Sequence, residues 1–331
     1  MSTEYPDNEI SLSVLICTRN RARSLERTLA SLVRAKKPEG LAWEIVVVDN
    51  NSNDETQSVV QSFVSSLPLR SVVESQPGLS HARNRGVLAA RGRNLVWTDD
   101  DVEVDGNWLC SYADAFRNHP GMSLFGGGSV AVLEEPAIGW FRANTTVLRD
   151  LLAVRNFGPD PVPISLARGA VPFGLNYGVR AEVQRRFLYD PELGVAPDRR
   201  IGGEEVDFYE RVLKAGYAGL CLPDPIVYHH IPLARQTLDY VLSYYDSAGV
   251  TSAVLLFRHR QPTTREYSSI RLKCVVAGAL TMATWPIPRA LRLRTMIRNA
   301  FHSGRFRRLR QMHQPLARPV TPFAGEAVSK N

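Results

Sequence analysis

Four short apolar runs in the N-terminal third alternate with helix-like segments, and three of them stop on polar residues. Residues 12–17 (LSVLIC) end at Thr18, Arg19 and Asn20, and residues 43–48 (WEIVVV) end at Asp49, Asn50 and Asn51. Residues 71–74 read as a third strand, and residues 94–98 (NLVWT) run into Asp99, Asp100 and Asp101. Between them, Leu25, Leu29, Leu32 and Val33 recur at helical spacing. Val59, Val60, Phe63, Val64 and Leu67 do the same behind a helix start at Asp54, and residues 78–90 read as a third helix. This alternation predicts an α/β fold, with a mostly parallel central sheet flanked by helices. In such sheets the ligand crevice lies beyond the C-terminal strand ends, so the three polar clusters are expected to meet at one edge.

Composition removes several alternatives. Of 331 residues, 44% are hydrophobic and 22% charged, which excludes a mostly disordered chain. Cys17, Cys110, Cys221 and Cys274 stand far apart without a CxxC pair, against a zinc site or disulfide framework and in keeping with a reducing cytoplasm. The N-terminus has no basic-then-apolar order, so no signal peptide is expected. No GxGxxG follows residues 12–17 and no GxxxxGK[ST] occurs anywhere, against a Rossmann dehydrogenase or a P-loop NTPase. Residues 105–200, rich in proline, predict long loops and a few strands, with a flexible turn at Gly126, Gly127 and Gly128. Helical periodicity returns over 205–215 and near 238–256.

Two acidic clusters carry the chemistry. Asp99, Asp100 and Asp101 repel one another unless something cationic joins them; a hard divalent ion bridging them to substrate phosphates is one solution, and a solvated turn is the plain alternative. Gly202 and Gly203 lead into Glu204, Glu205 and Asp207 at a helix start. Acids there compensate the helix dipole, or one of them serves as a general base. His229 and His230 follow a strand-like run, and adjacent strand residues face opposite sides, so at most one should enter the site.

In this order the motifs resemble a family 2 glycosyltransferase of GT-A fold over about residues 12–249: SVLICTRNRARSLERTLASL, WEIVVVDNNSNDET, GLSHARNRGVLAARGRNLVWTDDDVEVDGNWL, PFGLNYGVR, GGEEVDFYERVLKAGY and VYHHIPLARQTLDYVLSYYDSAG. The resemblance implies a nucleotide-diphosphate-sugar donor, a saccharide or lipid-linked acceptor, and transfer with inversion. It implies that Thr18, Arg19 and Asp49 hold the base and ribose, with Arg83 near the base or diphosphate. Asp99 and Asp100 join the donor contacts. Asp99, Asp101 and His229 form the Mn²⁺ or Mg²⁺ set, and Gly174, Asn176 and Arg180 form the substrate loop. Glu205, where the family most often has Asp, is the implied base, with Glu204 the alternative. A sugar-1-phosphate nucleotidyltransferase and a non-catalytic nucleotide-sugar-binding protein are the competing readings.

The net charge of +7 hides an asymmetry. From residue 258 to 318, fourteen Lys and Arg face one acid, Glu266, leaving the remaining chain with 26 basic and 32 acidic residues. Nucleic-acid binding is not expected from such an acidic body. We expect a catalytic domain over 1–255 and a basic helical extension over 256–331. Residues 274–285 are uncharged but shorter than the roughly 20 residues needed to span a bilayer. Leu293, Met296, Ile297, Ala300 and Phe301 share one helical face, with Arg294, Arg298 and Arg305 largely off it. That pattern fits either an amphipathic helix on the inner face of the cell membrane or packing on the catalytic domain.

Overall fold

The computed structural model describes residues 10–313. Residues 1–9, where the lack of a leader was read, and 314–331, which include Arg318, lie outside the described residues. The chain opens with β1 (Leu12–Thr18), α1 (Ala22–Arg34), β2 (Trp43–Asp49), α2 (Thr56–Phe63), β3 (Leu69–Val73), α3 (Leu79–Ala89) and β4 (Asn94–Asp99). β5 (Val102–Val104), α4 (Trp108–Asn118), β6 (Leu124–Leu133), α5 (Gly139–Arg142), β7 (Val162–Pro163), β8 (Asn176–Arg180) and α6 (Ala181–Arg186) follow. Then come α7 (Glu204–Lys214), β9 (Gly219–Ile231), a 3₁₀ turn (Leu233–Gln236), α8 (Leu238–Phe257), α9 (Thr264–Ala283) and α10 (Arg289–His313).

The strands form one sheet in the order β3-β2-β1-β4-β8-β6-β9-β5, with β7 on β9. The first four strands are all parallel, and β8 then runs antiparallel to β4. Val14, Leu15, Ile16, Ile45, Val46, Val47 and Val48 are all fully buried, because helices cover both sheet faces and each face has its own apolar cluster. This double burial is why the runs are uninterrupted rather than alternating. Register delivers the expected convergence: Thr18 stands opposite Asp49, and Cys17 opposite Asp99. Asp54 serves two helix starts, accepting from the backbone N–H of Ala22 at 3.0 Å and of Thr56 at 3.1 Å.

The glycine triplet is not a flexible turn; it lies inside β6. A Cβ on Gly126 would stand 2.8 Å from Pro172, and one on Gly127 would overlap the Asn176 amide and the Pro225 carbonyl. The glycines are there because other backbone passes too close for side chains.

The C-terminal helices are joined to the rest. Leu293 and Ile297 of α10 enter a cluster with Phe141, Leu148, Leu152, Ile231 and Val241. α10 crosses α8 at Gly249 and Gly304, each of which would drive a Cβ into the other helix's backbone. Arg307 clamps the crossing through an ion pair with Asp246. The apolar stripe of α10 therefore has a partner within the molecule.

Candidate active site

The end of β4 is neutralised by arginines. Asp100 is buried, accepts from the Thr18 hydroxyl at 2.7 Å, and pairs with Arg21 at 2.5 Å. Asp101, also buried, pairs with Arg21 at 2.9 Å and Arg235 at 3.1 Å, and lies 3.7 Å from Nε2 of His229. Burial pushes the Asp100 carboxyl up to about 7, against the pull of Arg21. Burial acts on Asp101 too, but His229, Arg21 and Arg235 together hold it far below the usual carboxylate range. Repulsion among these carboxylates thus needs no metal to relieve it.

His229 and His230 face opposite ways, as strand geometry requires. His230 meets Glu103 at 2.8 Å, whereas His229 is buried with Nδ1 2.9 Å from the carbonyl of Leu152. A carbonyl can only accept, so Nδ1 carries a proton; burial disfavours a second, but Asp101 raises the His229 pKa by holding a proton on Nε2 as well. Once Nε2 has lost its proton, the Asp101 carboxylate and this nitrogen could share a divalent ion, with the Leu152 carbonyl fixing the ring. Among the described residues no group of three or more His, Cys, Asp or Glu could hold a metal by itself. Substrate oxygens would have to complete the shell. Asp99 turns away from this pair, its carboxylate 3.8 Å from Arg83.

Arg83 connects the two acidic clusters. Its guanidinium is buried between Asp99 and Glu204, 3.2 Å from the latter, and lies over the rings of Trp97 and Tyr189 at 5.8 and 5.4 Å. Glu204 and Glu205 open α7 behind Gly203, which adopts a left-handed φ of 87°. Burial and the adjacent Glu205 push Glu204 up to about 8, despite Arg83. Glu204 is buried; Glu205 is only half-buried. Gly174 has a structural reason to be glycine, since a Cβ there would sit 2.6 Å from Arg83 Nη2. Asp207, third in the run, points to the extension and pairs with Arg211 at 2.8 Å and Arg258 at 2.5 Å.

Arg19 and Asp49 lie at the same edge, in a turn held by local bonds. Arg19 donates to the Asn50 carbonyl at 2.9 Å, and Asp49 accepts from the Ser52 N–H at 2.9 Å. The Asn50 side chain ties this turn to Glu74, Gln76 and Gly78.

Two expected substrate-loop residues are corrected. Asn176 is buried with its amide spent internally: it accepts from Trp108 and Tyr112, and donates to the Gly128 and Pro225 carbonyls. Nothing is left for a sugar. Arg180 pairs in register with Asn94, at the start of β4, and so sits at the opposite end of the strand from the crevice. Arg21 and Arg235 were missed. The three-carboxylate run signals a need for counter-charge, but both arginines lie far from it along the chain and nothing local names them.

Comparison with known proteins agrees with this geometry. Residues 13–140 match the family described as Glycosyl transferase family 2. Succinoglycan biosynthesis protein ExoM of Rhizobium meliloti is 25% identical over 309 residues, 90% of this chain and 93% of that protein. Chondroitin synthase of Escherichia coli is 30% identical over 128 residues, 37% of this chain but 18% of that protein. Mannosyltransferase PcManGT from Pyrobaculum calidifontis, in complex with GDP-Man and Mn²⁺, superposes with a TM-score of 0.58 at 17% identity, covering 91% of this chain and 87% of that one. S. aureus TarS 1–349 in complex with UDP-GlcNAc gives 0.53 at 15% identity, covering 91% and 92%. These two structures establish likeness of fold, the GT-A type. Residues 13–140 are thus similar to family 2 glycosyl transferases, and the likeness to ExoM extends over 90% of the chain.

Proposed function

We propose that this protein is a glycosyltransferase that moves a sugar from a nucleotide-diphosphate donor to an acceptor hydroxyl with inversion, in polysaccharide or glycan assembly. The observation that carries the reading is Arg83, one buried guanidinium within 4 Å of a carboxylate from each acidic cluster. It sets a donor side and an acceptor side in one crevice. Thr18, Arg19 and Asp49 bind the nucleoside, and Arg21, Arg83 and Arg235 stabilise charge growing on the diphosphate leaving group. Asp101 and His229 would hold Mn²⁺ or Mg²⁺, which would supply further positive charge beside the diphosphate. Asp99 acts with Arg83 on the donor, and Asp100 positions Arg21.

Glu205 is the base on this reading. Glu204 is buried and its pKa raised by burial and by Glu205, whereas the half-buried Glu205 is the member of the pair open to an acceptor hydroxyl. The acceptor oxygen gives its proton to Glu205, forms a bond to the anomeric carbon, and the anomeric C–O bond to the diphosphate breaks. A single displacement of this kind inverts the centre. The likeness to the succinoglycan biosynthesis protein ExoM supports the polysaccharide setting. The machinery falls within the expected catalytic domain, and α10 braces α8.

A panel of UDP-, GDP- and dTDP-sugars, each with Mn²⁺ or with EDTA, tests this. The matched donor should raise Tm by mass action, and Mn²⁺ should enlarge the shift. A matched donor stabilising equally in EDTA would remove the metal from the proposal, and no shift with any donor would remove the proposal itself.

A further inference from the structure

The largest feature that glycosyl transfer leaves unexplained is the outer face of α9 and its turn into α10. Ile270 and Ala277 are buried, while the opposite face is bare: Leu272 is 62% exposed, Val275 61% and Met282 72%. Trp285 at 68% and Leu291 at 77% continue the surface across the turn. Of seventeen large hydrophobic side chains exposed among the described residues, eight lie between 272 and 291, so this is one patch and not scattered surface. Arg292 holds its tip, stacking 4.6 Å from the Trp285 ring and donating to the Trp285 carbonyl at 3.1 Å.

The charge around the patch has one sign. Arg271, Lys273, Arg294 and Arg298 are exposed beside it, and residues 267–313 contain no Asp or Glu. A second copy seated here would bring cations against cations. An anionic lipid surface satisfies both demands, taking the apolar side chains among its acyl chains and the cations at its headgroups. Among the described residues no helix is long and apolar enough to cross a membrane, so the element lies on the surface rather than through it. We propose that the exposed face of α9 and the Trp285 turn dock the protein on an anionic membrane. The sequence pointed to the α10 stripe for this role, but Leu293 and Ile297 are spent against α8 and its neighbours. The proposal goes beyond the transfer reaction and does not depend on it.

Removing the tail would strip the core around Leu293, so point variants on exposed residues are the cleaner test. The full chain is sedimented with phosphatidylcholine vesicles, with and without phosphatidylglycerol. We expect binding only with phosphatidylglycerol, weakened by salt, with a blue shift of tryptophan emission that Trp285→Phe abolishes. Val275→Asp with Met282→Asp, and separately Arg294→Glu with Arg298→Glu, should each weaken binding at least about tenfold without changing Tm. No binding to phosphatidylglycerol vesicles at low salt, or binding unmoved by both double variants, overturns the proposal. A solution dimer dissolved by Val275→Asp with Met282→Asp, without vesicle binding, also overturns it and assigns the face to a second copy.

Discussion

Asp101 and Glu204, one buried carboxylate from each acidic cluster, are held in opposite electrostatic states. At the end of β4, Asp101 is surrounded by Arg21, Arg235 and His229, and stays ionised far below the usual range. At the start of α7, Glu204 and Glu205 lie against each other with one shared guanidinium, Arg83, and Glu204 retains its proton up to about 8. Both sites are buried, so burial does not separate them; the number of counter-charges does. A carboxylate so surrounded stays ionised and fixes the cations around it, and a pair short of counter-charge is suited to holding and accepting protons.

The sharpest way to break this contrast is at Glu205. Glu205→Gln should lower turnover at least about 10²-fold while leaving donor affinity within about twofold, measured by initial rates and titration. If Glu205→Gln keeps its rate and Glu204→Gln loses it, the base moves by one residue; if both keep it, this cluster has no base. Next in size is Asp101→Asn, which should weaken Mn²⁺-dependent donor binding about tenfold or more. It also deprives two arginines of a partner, and because Arg21 is a third exposed the loss of stability should stay near 1–2 kcal/mol.

The smallest effect is in pH dependence. Glu204 is raised from 4.5 to about 8 in the folded protein, so between those values the folded state holds a proton that the unfolded chain has released. Its contribution to stability is therefore complete below about pH 4.5 and is lost as pH rises toward 8. Glu204→Gln should flatten the fall of Tm across that window. An unchanged slope would mean that Arg83 keeps Glu204 ionised, and the two clusters would be alike.

Much of the fold was legible in residues 12–99, and the C-terminal strand ends there lie within one residue of the expected positions. The reason is double burial: a strand covered on both faces must be apolar throughout, and its polar end marks the crevice. Residues 105–200 were less legible, because β6 carries Gly126, Gly127 and Gly128 where local pattern argues for a turn. Only the approach of Pro172, Asn176 and Pro225, distant in sequence, explains them. Asn176 failed for a related reason. A side-chain amide binds a ligand or knits a core with the same groups, and Trp108 and Tyr112 decide which.

What the sequence determined alone was the placement of polar strand ends at one edge, the helix start at Glu204, and the opposite facing of His229 and His230. Each follows from a short-range period, two residues per strand repeat or 3.6 per helical turn. What only the tertiary structure decided was which charges meet: Arg21 with Asp100 across 79 residues, Arg83 with Glu204, and the α10 stripe with α8 rather than with a lipid surface. Coulomb and packing energies fall off with distance in space and take no account of separation along the chain, so no local pattern carries them.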